Sequence, residues 1–186
     1  LYAMHWPYRQ YESARNVRTS PLHERLAERG ACFGEAAGWE RANWFAPNGV
    51  KPVYQYSYGR QNWFAFSATE HMATREKVAL YDMTSFAKFL VQGRDAEAYL
   101  QSISSNDVAV ANGRIVYTQW LNERGGIEAD LTITRLSETS FIVVTAGAAA
   151  RRDWTWLKRH LPTEKHVFIT DISSSEATLC VMGPRS

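Results

Sequence analysis

The stretch Asn122–Leu136, NERGGIEADLTITRL, decides how the rest of the chain is read. Gly125 and Gly126 mark a turn. After them Ile127, Ala129, Leu131 and Ile133 alternate with Glu128, Asp130, Thr132 and Thr134, the period of a strand with one apolar face. Aspartate is among the residues least suited to a strand interior, so Asp130 either looks to water or lines a site, and alternation leaves both open. Before the turn, Ile115–Leu121 reads as a partner strand with Ile115, Tyr117, Gln119 and Leu121 on one side. After the turn SETS, Phe141–Thr145 is a third strand, whose unbroken apolar run predicts a central place buried on both faces.

Helices flank these strands. FAKFLVQG is a strand ending at Gly93, and RDAEAYLQSIS is a helix with Ala96, Tyr99, Leu100 and Ile103 inward. SSND stops it, since Ser, Asn and Asp favour caps and turns. AAARRDWTWLKRHL is a second helix, with Trp154, Leu157 and Leu161 on one stripe; HVFITDI and EATLCVMG follow as strands. Upstream, RTSPLHERLAERG is a helix that Ser20 can cap, with Pro21 suited to its first turn and Gly30 to the left-handed residue after its end. The fold class is α+β: antiparallel or mixed sheets with helices packed on one face. Texture changes at Ser67, from an aromatic, turn-rich segment over 1–66 to regular elements over 67–186. AKFLVQGRD and ATLCVMGPR share one form, an apolar strand, a glycine, then a polar residue where a helix should start.

Composition narrows the function classes. Hydrophobic residues are 45% and charged residues 22%, ordinary for a folded soluble protein. A net charge of +2, with basic residues scattered apart from short pairs such as Arg151-Arg152, gives no electrostatic case for a nucleic-acid or membrane partner. No run approaches the roughly 18 apolar residues of a membrane span, and the amino-terminal LYAMHWPYRQ has no signal-peptide core. Cys32 and Cys180 are too far apart for metal spacing and read as buried small hydrophobes. His5, His23, His71, His160 and His166 form no i, i+4 pair, so no metal site is expected. There is no G-x-G-x-x-G after a strand, no P-loop and no G-x-S-x-G elbow. What remains is a polar set around a small sheet: Asn106, Asp107, Tyr117, Thr118, Asn122, Asp130, Thr145, Arg151 and Arg152. Each also has a plain structural reading as a turn residue, a strand aromatic or a solvated face.

SNDV…GRIVYTQWLNERGGIEADLTITRL resembles the amino-terminal half of the glycine-cleavage T-protein (aminomethyltransferase) family. REKVALYDMTSFAKFLVQGRDAEAYL is similar to the segment before it, and its DMTSFAK form is closer to the dimethylglycine and sarcosine dehydrogenases. Residues 18–45 resemble the segment joining the flavin and folate domains of those dehydrogenases. The resemblance implies a T-protein-like folate-binding fold, incomplete at the carboxy terminus, with 1–66 as a joining segment from the flavin oxidoreductase part and 67–186 as the amino-terminal part of the tetrahydrofolate domain. It further implies that a flavin domain oxidises an N-methyl amine to an iminium and that tetrahydrofolate captures the carbon as 5,10-methylenetetrahydrofolate. FAD would then be held upstream of Leu1, and later folate-pocket residues would lie beyond Ser186. By the same resemblance Asp130 is the catalytic carboxylate and Tyr117 a folate-contacting ring. Asn106, Thr118 and Thr145 go with that pocket, Thr145 standing where T-proteins often have Asn. Ala129 replaces the first of two acidic residues common in free T-proteins. Partial burial would raise the pKa of Asp130 unless a hydrogen bond or cation offsets it. The expected partners are a small N-methyl amine and folate, with no nucleic acid or membrane; the location is the bacterial cytoplasm or the mitochondrial matrix; and the isolated chain is expected to have no turnover. A stand-alone folate-dependent aminomethyltransferase and a non-catalytic folate-binding iron–sulfur assembly factor are the alternatives.

Overall fold

The alternation that begins at Ile127 becomes one long strand, and the elements around it follow the expected order. The computed structural model describes residues 9–186; Leu1 and His5 lie outside them. In chain order the elements are α1 (His23–Glu28), β1 (Ala31–Ala36), β2 (Trp39–Phe45), α2 (Phe64–Glu76), β3 (Ala79–Asp82), β4 (Ala87–Gln92), α3 (Ala96–Ile103), β5 (Ile115–Leu121), β6 (Ile127–Ser137), β7 (Ser140–Thr145), α4 (Ala150–Arg159), β8 (Phe168–Asp171) and β9 (Leu179–Met182). Two compact units result. One spans Phe86–Glu176; the other runs up to Ser85 and takes back Ala177–Ser186. These units do not follow the change of texture at Ser67, which falls inside α2. The reason is a pairing that composition cannot show: β3 and β9, nearly a hundred residues apart, form an antiparallel ribbon with Tyr81 opposite Cys180.

The Phe86–Glu176 unit is a five-stranded antiparallel sheet in the order β5-β6-β7-β4-β8. Its alternate residues on one side, Trp120, Ala129, Leu131, Ile133, Phe141, Val143, Phe89 and Val91, are buried and form the core with Ala96, Tyr99 and Leu100 of α3 and Leu157 of α4. Each large apolar side chain so covered contributes roughly 1.5–3 kcal/mol. Trp154 closes on Phe89 with ring centroids 5.4 Å apart, and the buried Tyr99 hydroxyl donates to the Leu157 carbonyl at 2.6 Å, tying α3 to α4. Helices therefore cover one face of this sheet. The other face carries Ile115, Tyr117, Asp130, Thr132, Ile142 and Val144. β7 is central, but Ile142 and Val144 are only half-buried, because no helix of this unit lies on their side. Ile127 belongs by parity to the buried row yet is 68% exposed. It sits at the hairpin end, past a bulge between Trp120 and Leu121, where the helices no longer reach.

In the other unit β1 and β2 pair antiparallel. Cys32, Trp44 and Ala46 form a small core with Tyr54, Trp63 and Phe66 packed on it; Cys180, on the β3–β9 ribbon, is only half-buried. Gly30 follows α1 at φ +81, as its place in the sequence predicts. Ser20 accepts from the Leu22 backbone N–H and donates to Asp82, so it serves the turn before α1 and also reaches β3. Glu40 is buried against Arg15, whose guanidinium holds its carboxyl below the usual carboxylate range.

The echo between the two strand–glycine segments is structural as well. Gly93 and Gly183 have φ of +136 and +127. Each accepts a bond from the amide three residues on: Ala96 N–H at 3.0 Å and Ser186 N–H at 3.1 Å. In each case the residue two on donates to a carbonyl across the turn, Asp95 to His166 and Arg185 to Lys77. A Cβ on Gly93 would collide with the His166 carbonyl, whereas one on Gly125, also left-handed at φ +76, would meet nothing within 4 Å. Gly93→Ala should therefore cost at least about 3 kcal/mol in urea unfolding and Gly125→Ala about 1 kcal/mol. Equal losses would contradict the close approach at Gly93.

Candidate functional site

Antiparallel register brings the sequence-predicted residues together or separates them. On β5 and β6 the directly opposed pairs include Tyr117 with Thr132, Thr118 with Leu131 and Gln119 with Asp130. Side chains alternate across a sheet, so Tyr117, Gln119, Thr132 and Asp130 share the open face, while Thr118 and Leu131 face the core. The Tyr117 hydroxyl donates to Asp130 Oδ2 at 2.8 Å. That bond, aided by slight desolvation and the carboxylate charge, holds the phenol above its usual range near 10, while the Gln119 amide acts in the opposite sense. Asp130 is exposed rather than partly buried. Its Oδ1 has no hydrogen-bond donor among the described residues, so the carboxylate keeps one oxygen open for a proton or a cation.

Asn106 reaches this pair through the backbone. Residues 104–108 run beside β5, which is the sheet edge: Ser105 N–H donates to the Gln119 carbonyl at 2.9 Å, Asn106 N–H to Thr118 Oγ1 at 3.0 Å, and Asn106 Nδ2 to the Tyr117 carbonyl at 2.7 Å. The loop thereby occupies edge groups that would otherwise be open to another strand and sets the height of Tyr117 on the face. Asp107 accepts from the Ala109 N–H at 2.8 Å, a turn bond.

Thr118 and Thr145 are not on this face. Thr118 is fully buried, its hydroxyl used by the Asn106 N–H. Thr145 is 2% exposed and donates to Asp153 Oδ2 at 2.6 Å behind the sheet. The family pattern puts both with the pocket, whereas their parity on β5 and β7 turns them inward. Arg152 binds the other Asp153 oxygen at 2.9 Å, so it and the neighbouring Arg151 belong to α4, on the helix-covered side. Asn122 is turn chemistry: its Oδ1 accepts from Arg124 and Gly126 at 3.0 and 2.9 Å. Sequence reasoning missed Asp153, for which a charged residue in a helix gave no signal. It also passed over Gln119, although its parity with Tyr117 was legible. A recess of about 580 Å³ at the hairpin end is lined by Asn122, Arg124, Glu128, Trp156 and Arg159 and does not include Asp130. Among the described residues no group of histidines, cysteines and carboxylates could hold a metal ion, and no helix is long and apolar enough to cross a membrane.

The α+β arrangement, an antiparallel sheet with helices on one face, is that of a T-protein-type domain. The chain belongs to that family: residues 22–186 match the GCVT N-terminal domain. It is 50% identical, over its whole length, to 4-methylaminobutanoate oxidase (formaldehyde-forming) of Paenarthrobacter nicotinovorans, spanning 22% of that protein. It is 32% identical to the mitochondrial pyruvate dehydrogenase phosphatase regulatory subunit of Mus musculus and 31% to the mitochondrial sarcosine dehydrogenase of Homo sapiens, covered in full in both cases, over 22% and 24% of those proteins. Among solved structures it resembles the glycine cleavage system aminomethyltransferase T from Bartonella henselae, with a TM-score of 0.73 and 26% identity over 91% of this chain and 42% of that one. The chain thus spans about a fifth to a quarter of the length of these curated relatives. Coverage of 91% also carries the likeness to an aminomethyltransferase well into residues 1–66.

The inward placement of Thr145 has a direct consequence. Thr145→Val removes the one hydroxyl that Asp153 accepts from and should lower stability by about 1–3 kcal/mol, read by chemical denaturation. Unchanged stability would contradict a buried hydrogen bond between Thr145 and Asp153.

Proposed function

We propose that this chain forms one wall of a reduced-folate site in a flavin- and folate-dependent N-methyl amine dehydrogenase, with Asp130 as the proton acceptor when the one-carbon unit is captured. The observation that carries the reading is the Tyr117–Asp130 pair, 2.8 Å apart on the sheet face opposite α3 and α4. The donor set suits a folate: an exposed aromatic ring able to pack on a planar cofactor, a carboxylate with an open oxygen, and the half-buried Thr132 beside them. Bound tetrahydrofolate supplies the nitrogen nucleophile that takes up the carbon as 5,10-methylenetetrahydrofolate. Attack on the iminium carbon would shed the nucleophile's proton to Asp130 Oδ1, which would also stabilise positive charge nearby, and the demethylated amine would leave as its bond to that carbon breaks. Tyr117 fixes the carboxylate through Oδ2 and offers its ring. FAD belongs to a domain outside this chain. The names of the relatives support an N-methylated amino acid as the amine, and the mitochondrial and bacterial origins of those relatives support a matrix or cytoplasmic setting.

A second reading has its own support: the relative at 50% identity is described as formaldehyde-forming, so the carbon of its reaction leaves free. One experiment on the intact protein separates the readings. With an N-methylated amino acid and tetrahydrofolate, the folate reading predicts 5,10-methylenetetrahydrofolate as the main one-carbon product. In Asp130→Asn, capture should fall about 10²–10⁴-fold, with amine oxidation continuing and formaldehyde appearing in its place. Free formaldehyde from the unsubstituted protein, whether or not folate is present, supports the second reading. Absence of amine oxidation in the flavin-loaded protein contradicts both and points to a regulatory role, the one named for the phosphatase regulatory subunit.

A further inference from the structure

The Tyr117 hydroxyl can donate only one proton, and it gives that proton to Asp130. What keeps the phenol turned that way is on the same strand. Gln119 is directly opposite Asp130 in the β5–β6 register and two residues along from Tyr117, so all three share the open face. Its side chain has one acceptor end and one donor end. Ser105 addresses the acceptor end, its hydroxyl donating to Gln119 Oε1 at 3.4 Å. The same serine accepts from the Gln119 backbone N–H at 3.3 Å, and its own N–H bonds the Gln119 carbonyl at 2.9 Å. With the carbonyl end facing the 104–108 loop, the amino end is left for the row of side chains on the face.

We propose that Gln119 is a positioning residue for the Tyr117–Asp130 pair: Ser105 holds its carbonyl end, and its amino group donates to the Tyr117 oxygen, directing the phenol proton onto Asp130. The proposal deepens the folate reading and rests on it for its functional part. The result is a directed chain, Ser105 to Gln119 to Tyr117 to Asp130, in which each group donates to the next and the last keeps one oxygen open. The influence of Gln119 on the phenol has the matching direction: it favours the phenolate and so opposes the upward push from Asp130. Asp130 is the one charged group that bears on the phenol among the described residues. Thr132, Thr134, Ile115, Ile142 and Val144 on the same face carry no charge, and Lys88, level with Val144 one strand further on, donates to the Phe86 carbonyl at 2.9 Å.

The test uses the intact protein labelled with ¹³Cζ-tyrosine, with Tyr117→Phe identifying the Tyr117 resonance. Because the phenol lies above its ordinary range, its bond to Asp130 persists through neutral pH and is lost as pH rises through the raised value. Gln119→Leu, which removes the donor, should raise the Tyr117 midpoint by about one pH unit, a tenfold fall in its ionisation constant. Gln119→Glu, nearly isosteric but with an acceptor in place of the donor, should raise it further. The share of carbon captured by tetrahydrofolate should fall about tenfold in both. A Tyr117 midpoint unmoved in both variants overturns the role of Gln119. A moved midpoint, with no folate capture by the unsubstituted protein, leaves the hold of Gln119 on Tyr117 standing and overturns the folate reading instead.

Discussion

The register of β5 against β6 is the constraint on which everything else turns. With Gln119 opposite Asp130 and Thr118 opposite Leu131, Trp120, Ala129, Leu131 and Ile133 enter the core while Tyr117 and Asp130 look outward. A slip of one residue on β6 would bury Asp130 under two helices and expose Leu131 and Ile133, forfeiting several kcal/mol of apolar burial and stranding a charge. Register is therefore fixed by the core, and the site inherits its geometry from that choice. The turn at Asn122 and the loop at Asn106 secure it from either side, one closing the hairpin and the other bonding the outer edge of β5.

Core and site thus occupy opposite sides of one sheet, and this separation sorts the polar residues. A buried polar side chain must be satisfied within the protein, and Thr118 and Thr145 are, by the Asn106 amide and by Asp153. An exposed one can leave bonding capacity open, as Asp130 does at Oδ1. The unused acceptor on the exposed β5–β6 part of the other face, beside an aromatic ring, gives the chain its chemical character. The buried threonines give it rigidity behind that face.

Much of this was legible in the sequence because period-2 alternation reports parity directly. Ile127–Leu136, Ile115–Leu121 and Phe141–Thr145 all became strands, with Ala129, Leu131 and Ile133 inward as alternation predicts, and the pairing of Tyr117 with Asp130 follows from parity once the hairpin is recognised. Gly30 and the Gly93–Gly183 echo were visible for a similar reason, since each backbone conformation favours glycine. Three things were not legible. The first was the reach of the helices, which decides that Ile127 stays exposed and that β7 is covered on one face. The second was the long-range ribbon of β3 with β9, which sets the compact units against the change of texture at Ser67. The third was the side on which Thr118 and Thr145 fall; a family pattern marks positions, while parity decides what those positions face.

The most direct measurement is a crystal structure of the intact protein with a bound reduced folate. The account predicts the ligand on the open face of β5 and β6, its ring system against Tyr117 and a nitrogen within hydrogen-bond reach of Asp130 Oδ1, with Thr118 and Thr145 out of contact behind the sheet. A folate seated in the hairpin-end recess of Arg124, Trp156 and Arg159, with Asp130 untouched, would contradict it.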